Sequence, residues 1–234
     1  MVKNPVLKVG LRRDELERNL WGGLPVDSLV LIEGEDGTGK SILAQRLVYS
    51  LLKSKHKVTY ISTEMNTKGF IDQMASLEYD VKFHIVDNSI LFIPMFPFLG
   101  KTKLRKDFMK RLFDSPRLFE NEIIVIDTLS FLMIGSEVSH EENYLMIDFL
   151  KKVNSMNKTI IFCVDPDQIN KTFLTLLRSI SDVYLSLEMK MFAGNLIRAI
   201  NVKRFKRCQG MVATPIPYKV EPGKGLAIEI ASFS

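Results

Sequence analysis

The run Gly34-Glu35-Asp36-Gly37-Thr38-Gly39-Lys40-Ser41 satisfies G-x-x-x-x-G-K-[ST] at every fixed position. Few local patterns restrict a fold so tightly. Its glycines let the backbone curl until successive N–H groups face the inside of the loop, where they can surround a β-phosphate. Such a loop works only between a strand and a helix, and both are written into the flanks. Leu29-Val30-Leu31-Ile32 is apolar and partly β-branched, whereas Ile42, Leu43, Leu47, Val48, Leu51 and Leu52 recur at helical spacing. The motif predicts that Gly34, Asp36, Gly37, Thr38, Gly39, Lys40, Ser41 and Ile42 hold phosphates. In that reading Lys40 bridges the β- and γ-phosphates and the Ser41 hydroxyl ligates Mg²⁺. The amides of Ser41 and Ile42 add the positive end of the helix.

The rest of the chain reads as a continuation of that unit. Strand-like runs fall near 28–33, 57–62, 81–86, 122–127 and 158–164. Helical patterns fall near 40–54, 67–78, 103–113, 141–156 and 170–180. This alternation predicts an α/β fold with a mainly parallel central sheet and helices on both faces. Beyond Asp182 the pattern becomes successive strands near 183–190, 196–204, 217–220 and 226–230, divided in places by turns such as Pro222-Gly223-Lys224-Gly225. That is the pattern of an antiparallel meander. No repeat, linker or compositional break divides the 234 residues, so a single domain over 1–234 is expected, with 1–10 as a short extension.

A second carboxylate-bearing strand completes the candidate metal site. Glu122-Ile123-Ile124-Val125-Ile126-Asp127 ends in an acid, and ligands of open α/β sheets sit beyond the carboxyl ends of the strands. Asp127 is therefore expected to hold Mg²⁺ beside Ser41; the alternative is an Asp that caps the following helix. The residue after Asp127 is Thr128, so no Asp-Glu pair occurs here. The candidate for orienting an attacking water is Glu64, at the end of Val58-Thr59-Tyr60-Ile61-Ser62-Thr63. That strand is expected beside or close to the loop strand. Lys203, Arg204 and Lys206, in a basic cluster, are either cations that complete a neighbouring subunit's site or a solvated turn.

Composition narrows the classes. The chain is 46% hydrophobic and 25% charged, and no apolar stretch approaches the roughly 18 residues of a membrane helix. With no signal-peptide pattern at its start and only two cysteines, it is expected in the cytoplasm, without disulfides or metal–thiolate sites. A net charge of +5 fits a lysine-rich surface better than nucleic-acid binding. The apolar run Ile90-Leu91-Phe92-Ile93-Pro94-Met95-Phe96-Pro97-Phe98-Leu99-Gly100 carries two prolines, which exclude a continuous helix and argue against a central strand. It reads as a loop buried under the basic helix near 103–113, the alternative being an exposed partner-binding loop.

Two segments resemble a known family. Leu20-Trp21-Gly22-Gly23-Leu24-Pro25-Val26-Asp27-Ser28, running into the loop strand, is similar to the opening of KaiC and its RecA-superfamily relatives. Val125-Ile126-Asp127-Thr128-Leu129-Ser130 resembles the matching Walker B segment. A single-domain chain of this length resembles the FlaH (ArlH) family, the ATP-binding component of the archaellum motor. The resemblance implies a RecA-like domain that binds ATP and Mg²⁺ and assembles into a homo-oligomeric ring. It also implies partnership with the archaellum motor ATPase and its scaffold and platform proteins at the inner face of the membrane. Glu64 would be the catalytic-type glutamate. KaiC proteins carry two consecutive glutamates where this chain has Glu64-Met65, and the basic cluster does not align unambiguously with their spaced cations. Both departures favour a nucleotide-gated assembly factor with weak or no hydrolysis. The alternatives are an active ATPase stimulated by nucleic acid, or an autokinase acting on Ser62, Thr63 or Thr128.

Overall fold

A computed structural model describes residues 5–11, 15–95, 112–133, 140–192, 195–208, 210 and 212–229. After a small antiparallel pair, β1 (Val6–Leu7) with β2 (Leu24–Pro25), and a short helix between them, α1 (Leu16–Asn19), the chain enters one large sheet. Its elements are β3 (Leu29–Gly34), α2 (Lys40–Lys53), β4 (Val58–Ser62), α3 (Thr67–Ser76), α4 (Lys82–Val86), β5 (Ile90–Pro94), β6 (Ile123–Asp127), α5 (Leu129–Leu132), α6 (His140–Asn154), β7 (Thr159–Val164) and α7 (Lys171–Ile180). Four further strands follow: β8 (Val183–Phe192), β9 (Asn195–Phe205), β10 (Ile216–Glu221) and β11 (Gly225–Ile228). The nine strands are ordered β11-β10-β9-β8-β3-β7-β6-β4-β5. Pairing is parallel from β8 through β5 and antiparallel from β8 out to β11. The alternation and the terminal meander are as the sequence indicates.

Strand parity decides which helix each residue meets, because successive side chains leave opposite faces. Val30, Ile32, Ile123, Val125, Ile161 and Cys163 join the core that contains Leu43, Leu47 and Leu51 of α2 and Phe70 of α3. Leu29, Leu31, Ile124, Ile126, Ile160 and Phe162 join the opposite core, with Met146 and Leu150 of α6 and Phe173 and Leu177 of α7. At about 25 cal/mol per Å² of apolar surface, these two layers supply the main drive to fold.

Two expectations are corrected. Residues 81–86, read as a strand, form helix α4. The alternation of Val81-Lys82-Phe83-His84-Ile85-Val86 mimics a half-buried strand, but Asp80 Oδ1 accepts from the Lys82 amide at 3.0 Å and the Ile85 amide donates to Val81 O at 3.0 Å. Val81 and Ile85 reach the core together at helical spacing, leaving Phe83 and Val86 exposed. The strand is instead Ile90–Pro94, at the sheet's edge and with proline at its last position, where a missing N–H costs little. The remainder of the expected loop near 96–100, and most of the helix near 103–113, lie outside the described residues. Second, β4 does not neighbour β3: β7 and β6 lie between them.

Candidate functional site

The loop between β3 and α2 has the strained geometry that its glycines permit. Gly39, immediately before α2, has φ 92°, a left-handed conformation that side chains resist. A Cβ at Gly34 would lie 2.5 Å from Thr38 Oγ1 and 3.0 Å from Leu187 O, so only glycine fits between the loop and β8. Thr38 Oγ1 donates to Glu35 O at 2.7 Å, and the Tyr218 hydroxyl of β10 donates to Thr38 O. The loop is thus pinned from within and from the meander.

Lys40 is 8% exposed. Its ammonium donates to Glu35 O at 2.8 Å and lies 3.7 Å from Asp165 Oδ2, itself a buried carboxylate just beyond β7. Ser41 Oγ, on the first turn of α2, donates to Asp127 Oδ1 at 3.0 Å. The Tyr60 hydroxyl of β4 donates to Asp127 Oδ2 at 2.6 Å. Tyr60 stacks near Phe70 and Phe92, with ring centroids at 4.9 and 5.8 Å, so its hydroxyl is the polar tip of an aromatic cluster.

Glu64 is exposed just past β4, where its Oε1 accepts from Thr128 Oγ1 at 2.8 Å. The pairing of β4 with β6, Ser62 opposite Asp127, brings it there although β4 is remote from β3. Thr63 ties the same junction: its amide donates to Asp127 O at 2.8 Å, and its Oγ1 accepts from the Thr128 amide at 2.9 Å. The helix after Glu64 is capped by Asn66, whose side chain accepts from the Gly69 amide, and not by Glu64 itself.

Electrostatics favour a cation at this rim. Burial pushes the Asp127 carboxyl above its usual range, the Tyr60 hydrogen bond opposes that shift, and the charge of Glu64 adds to it. Burial, then Asp127 itself, holds the Tyr60 hydroxyl and the Cys163 thiol far above their ordinary values, so both are fixed as neutral donors. The Asp127 carboxylate and the Ser41 hydroxyl offer oxygen donors side by side, the chemistry that suits Mg²⁺. The residues present fit such an ion, and Ser41 and Asp127 are the pair that could hold it.

The basic cluster sits elsewhere. Val183 pairs with Phe205 at the amino end of the parallel strands, opposite the end that carries Gly34 beside Leu187. There Arg204 donates to the carbonyls of Arg178, Ser179 and Ser181, closing the end of α7. Lys206 pairs with Asp182 at 3.2 Å. Lys203 leans along β9 to Glu188 at 3.5 Å and keeps a side chain 48% exposed. Residues Tyr60, Asp165 and Tyr218 belong to the site but were not singled out from sequence. Parity offers a signal for the first two, since Val58 and Tyr60 join the core on the α2 face, as do Ile161 and Cys163, and the same alternation carried on reaches position 165.

This fold and site define a P-loop nucleotide-binding domain of the RecA type. The family model described as "ATPase: KaiC" matches residues 13–231. The archaeal flagellar ATP-binding protein FlaH of Methanocaldococcus jannaschii is 34% identical over 229 residues, covering 97% of each chain. That of Methanococcus voltae is 33% identical over 227 residues, covering 97% of this chain and 98% of the relative. The crystal structure of flagellar accessory protein FlaH from M. jannaschii superposes with a TM-score of 0.89, over 97% of this chain and 100% of that one. A KaiC-like protein from Pyrococcus horikoshii shares the fold at a TM-score of 0.76 and 16% identity, covering 96% of this chain and 100% of its own. The chain belongs to the FlaH family of KaiC-like ATPases.

Proposed function

We propose that this chain is the ATP-binding subunit of an archaellum motor, a switch whose nucleotide state sets its association with the motor ATPase, with weak or no hydrolysis of its own. The observation that carries the reading is the constellation of Lys40, Ser41, Asp127 and Tyr60 on one rim, already hydrogen-bonded in register. Gly34, Asp36, Gly37, Thr38, Gly39, Lys40, Ser41 and Ile42 hold the phosphates of ATP. Mg²⁺, held by Ser41 and Asp127, supplies charge neutralisation at the phosphates. Glu64 orients water, a reading supported by its bond to Thr128 Oγ1, which holds the carboxylate beside the end of β6. The retention of one glutamate and the missing aligned cation favour binding over turnover. Loss of a cationic finger alone costs about 10³–10⁵ in rate.

The chain works as a single domain and as a homo-oligomeric ring, in the cytoplasm, reaching the membrane face only through scaffold and platform partners. Lys203, Arg204 and Lys206 reach a nucleotide only from a neighbouring copy. Of the three, Lys203 is the better candidate, because Arg204 is spent on carbonyls of α7. An autokinase is disfavoured: Ser62, Thr63 and Thr128 are buried, Ser62 Oγ accepts from the Met65 amide at 3.1 Å, and the Thr63 and Thr128 hydroxyls are engaged in the junction described above. Among the described residues no helix is long and apolar enough to cross a membrane. The test is co-sedimentation with the cognate motor ATPase in Mg·ATP, in Mg·ADP and without nucleotide. Association that differs between the nucleotides, and loses that difference in Lys40→Ala, is expected; association indifferent to nucleotide would overturn the switch.

A further inference from the structure

Asp165 is a feature that the loop motif does not require. It is 5% exposed, and its two oxygens have separate partners. Oδ1 accepts from the Asp167 amide at 3.0 Å, shaping the turn that leads from β7 to α7. Oδ2 faces the Lys40 ammonium at 3.7 Å. The backbone on either side is held independently, the Asp165 amide donating to Ser130 Oγ at 3.1 Å and the Gln168 amide to Asp165 O at 3.2 Å. The turn therefore needs Oδ1 but not the negative charge.

We propose that Asp165 sets the site's preference between nucleoside triphosphate and diphosphate, by competing with the terminal phosphate for the Lys40 ammonium. The inference rests on the ATP-binding reading above. A buried carboxylate close to Lys40 satisfies that ammonium when no phosphate does, so removing the lysine from its pair is part of the cost of binding. The same carboxylate repels any anion that reaches Lys40, and it does so in a shielded place where like charges interact more strongly than in water. A triphosphate brings about one more negative charge than a diphosphate, and brings it to the phosphate that Lys40 serves. Asp165 therefore penalises ATP more than ADP and keeps the two affinities close enough for exchange. Its removal shifts the balance towards ATP.

The discriminating substitution is Asp165→Asn, which keeps an Oδ1 acceptor for the Asp167 amide and removes the charge. Dissociation constants for Mg·ATP and Mg·ADP are to be measured on the full chain by calorimetric titration, for wild type, Asp165→Asn and Lys40→Ala. The ratio of ADP to ATP dissociation constants is expected to rise about tenfold in Asp165→Asn. A ratio within twofold of wild type, or equal weakening of both nucleotides, overturns the proposal and leaves Asp165 as a structural counter-ion. If Asp165→Asn does not fold, Asp165→Ser carries the same expectation for the ratio. Failure of the ATP-binding reading looks different: wild type then binds neither nucleotide, or Lys40→Ala binds as well as wild type.

Discussion

The two ends of the parallel strands carry similar charged residues and use them in opposite ways. At the amino end Asp182 is closed off by the chain itself: its Oδ2 accepts from the Leu29 amide at 3.1 Å, Lys206 pairs with Oδ1 at 3.2 Å, and Arg204 beside it caps α7. At the carboxyl end Lys40, Asp127 and Asp165 are more deeply buried. Lys40 is held by Glu35 O and Asp165, Asp127 by the Ser41 and Tyr60 hydroxyls, and Asp165 by the Asp167 amide and Lys40. Charge at the amino end is a fastening. Under the proposed function, charge at the carboxyl end is exchanged with a ligand, and until then hydroxyl, amide and ammonium partners keep the buried charges satisfied.

Substitutions at the two ends should therefore separate binding from stability. The largest effect is expected for Lys40→Ala, which should weaken Mg·ATP at least 100-fold in a calorimetric titration while the chain remains folded by circular dichroism. Next, Arg204→Ala should cost about 2–3 kcal/mol of unfolding free energy in urea, since three carbonyls lose a charged donor, with nucleotide affinity unchanged. If Arg204→Ala instead abolished binding and spared stability, the division between the ends would be wrong. Tyr60→Phe should lower the Mg²⁺-dependent part of ATP affinity about tenfold, as loss of an outer partner of a metal-holding carboxylate does, while affinity measured in EDTA stays as in wild type. The smallest effect is expected at Lys203→Ala. An exposed pair with Glu188 is worth under about 1 kcal/mol, so thermal stability should hardly move, and a loss of nucleotide affinity seen in self-associated but not in monomeric protein would identify it as a cation given to a neighbouring copy.

The legibility of the site follows the same division between local and long-range order. The loop and Asp127 could be read because the relevant partners are neighbours in sequence: a glycine fixes a backbone angle, and a strand end fixes a rim. The meander could be read because its turns are local too. Tyr60 and Asp165 could not be assigned partners without the strand order, since Tyr60 meets Asp127 only because β4 lies on β6, and Asp165 meets Lys40 only because β7 separates β3 from β6. Arg204 reads as one of several cations in a basic turn until the end of α7 is brought against β9. The error at 81–86 was of another kind. Short alternation is shared by a half-buried strand and by a single helical turn that buries positions four apart, and only the Asp80 side chain, bonded to the Lys82 amide, hinted at the second.

In the proposed function the carboxyl end binds Mg·ATP and holds it. Titration of wild type with Mg·ATP, with phosphate release followed on the same samples and on Glu64→Gln, tests it most directly. Saturable binding at one site per chain and phosphate release near background are expected in both proteins. Ordinary enzymatic turnover in wild type, falling about 10²–10⁴-fold in Glu64→Gln, would contradict it and make the chain an engine rather than a switch.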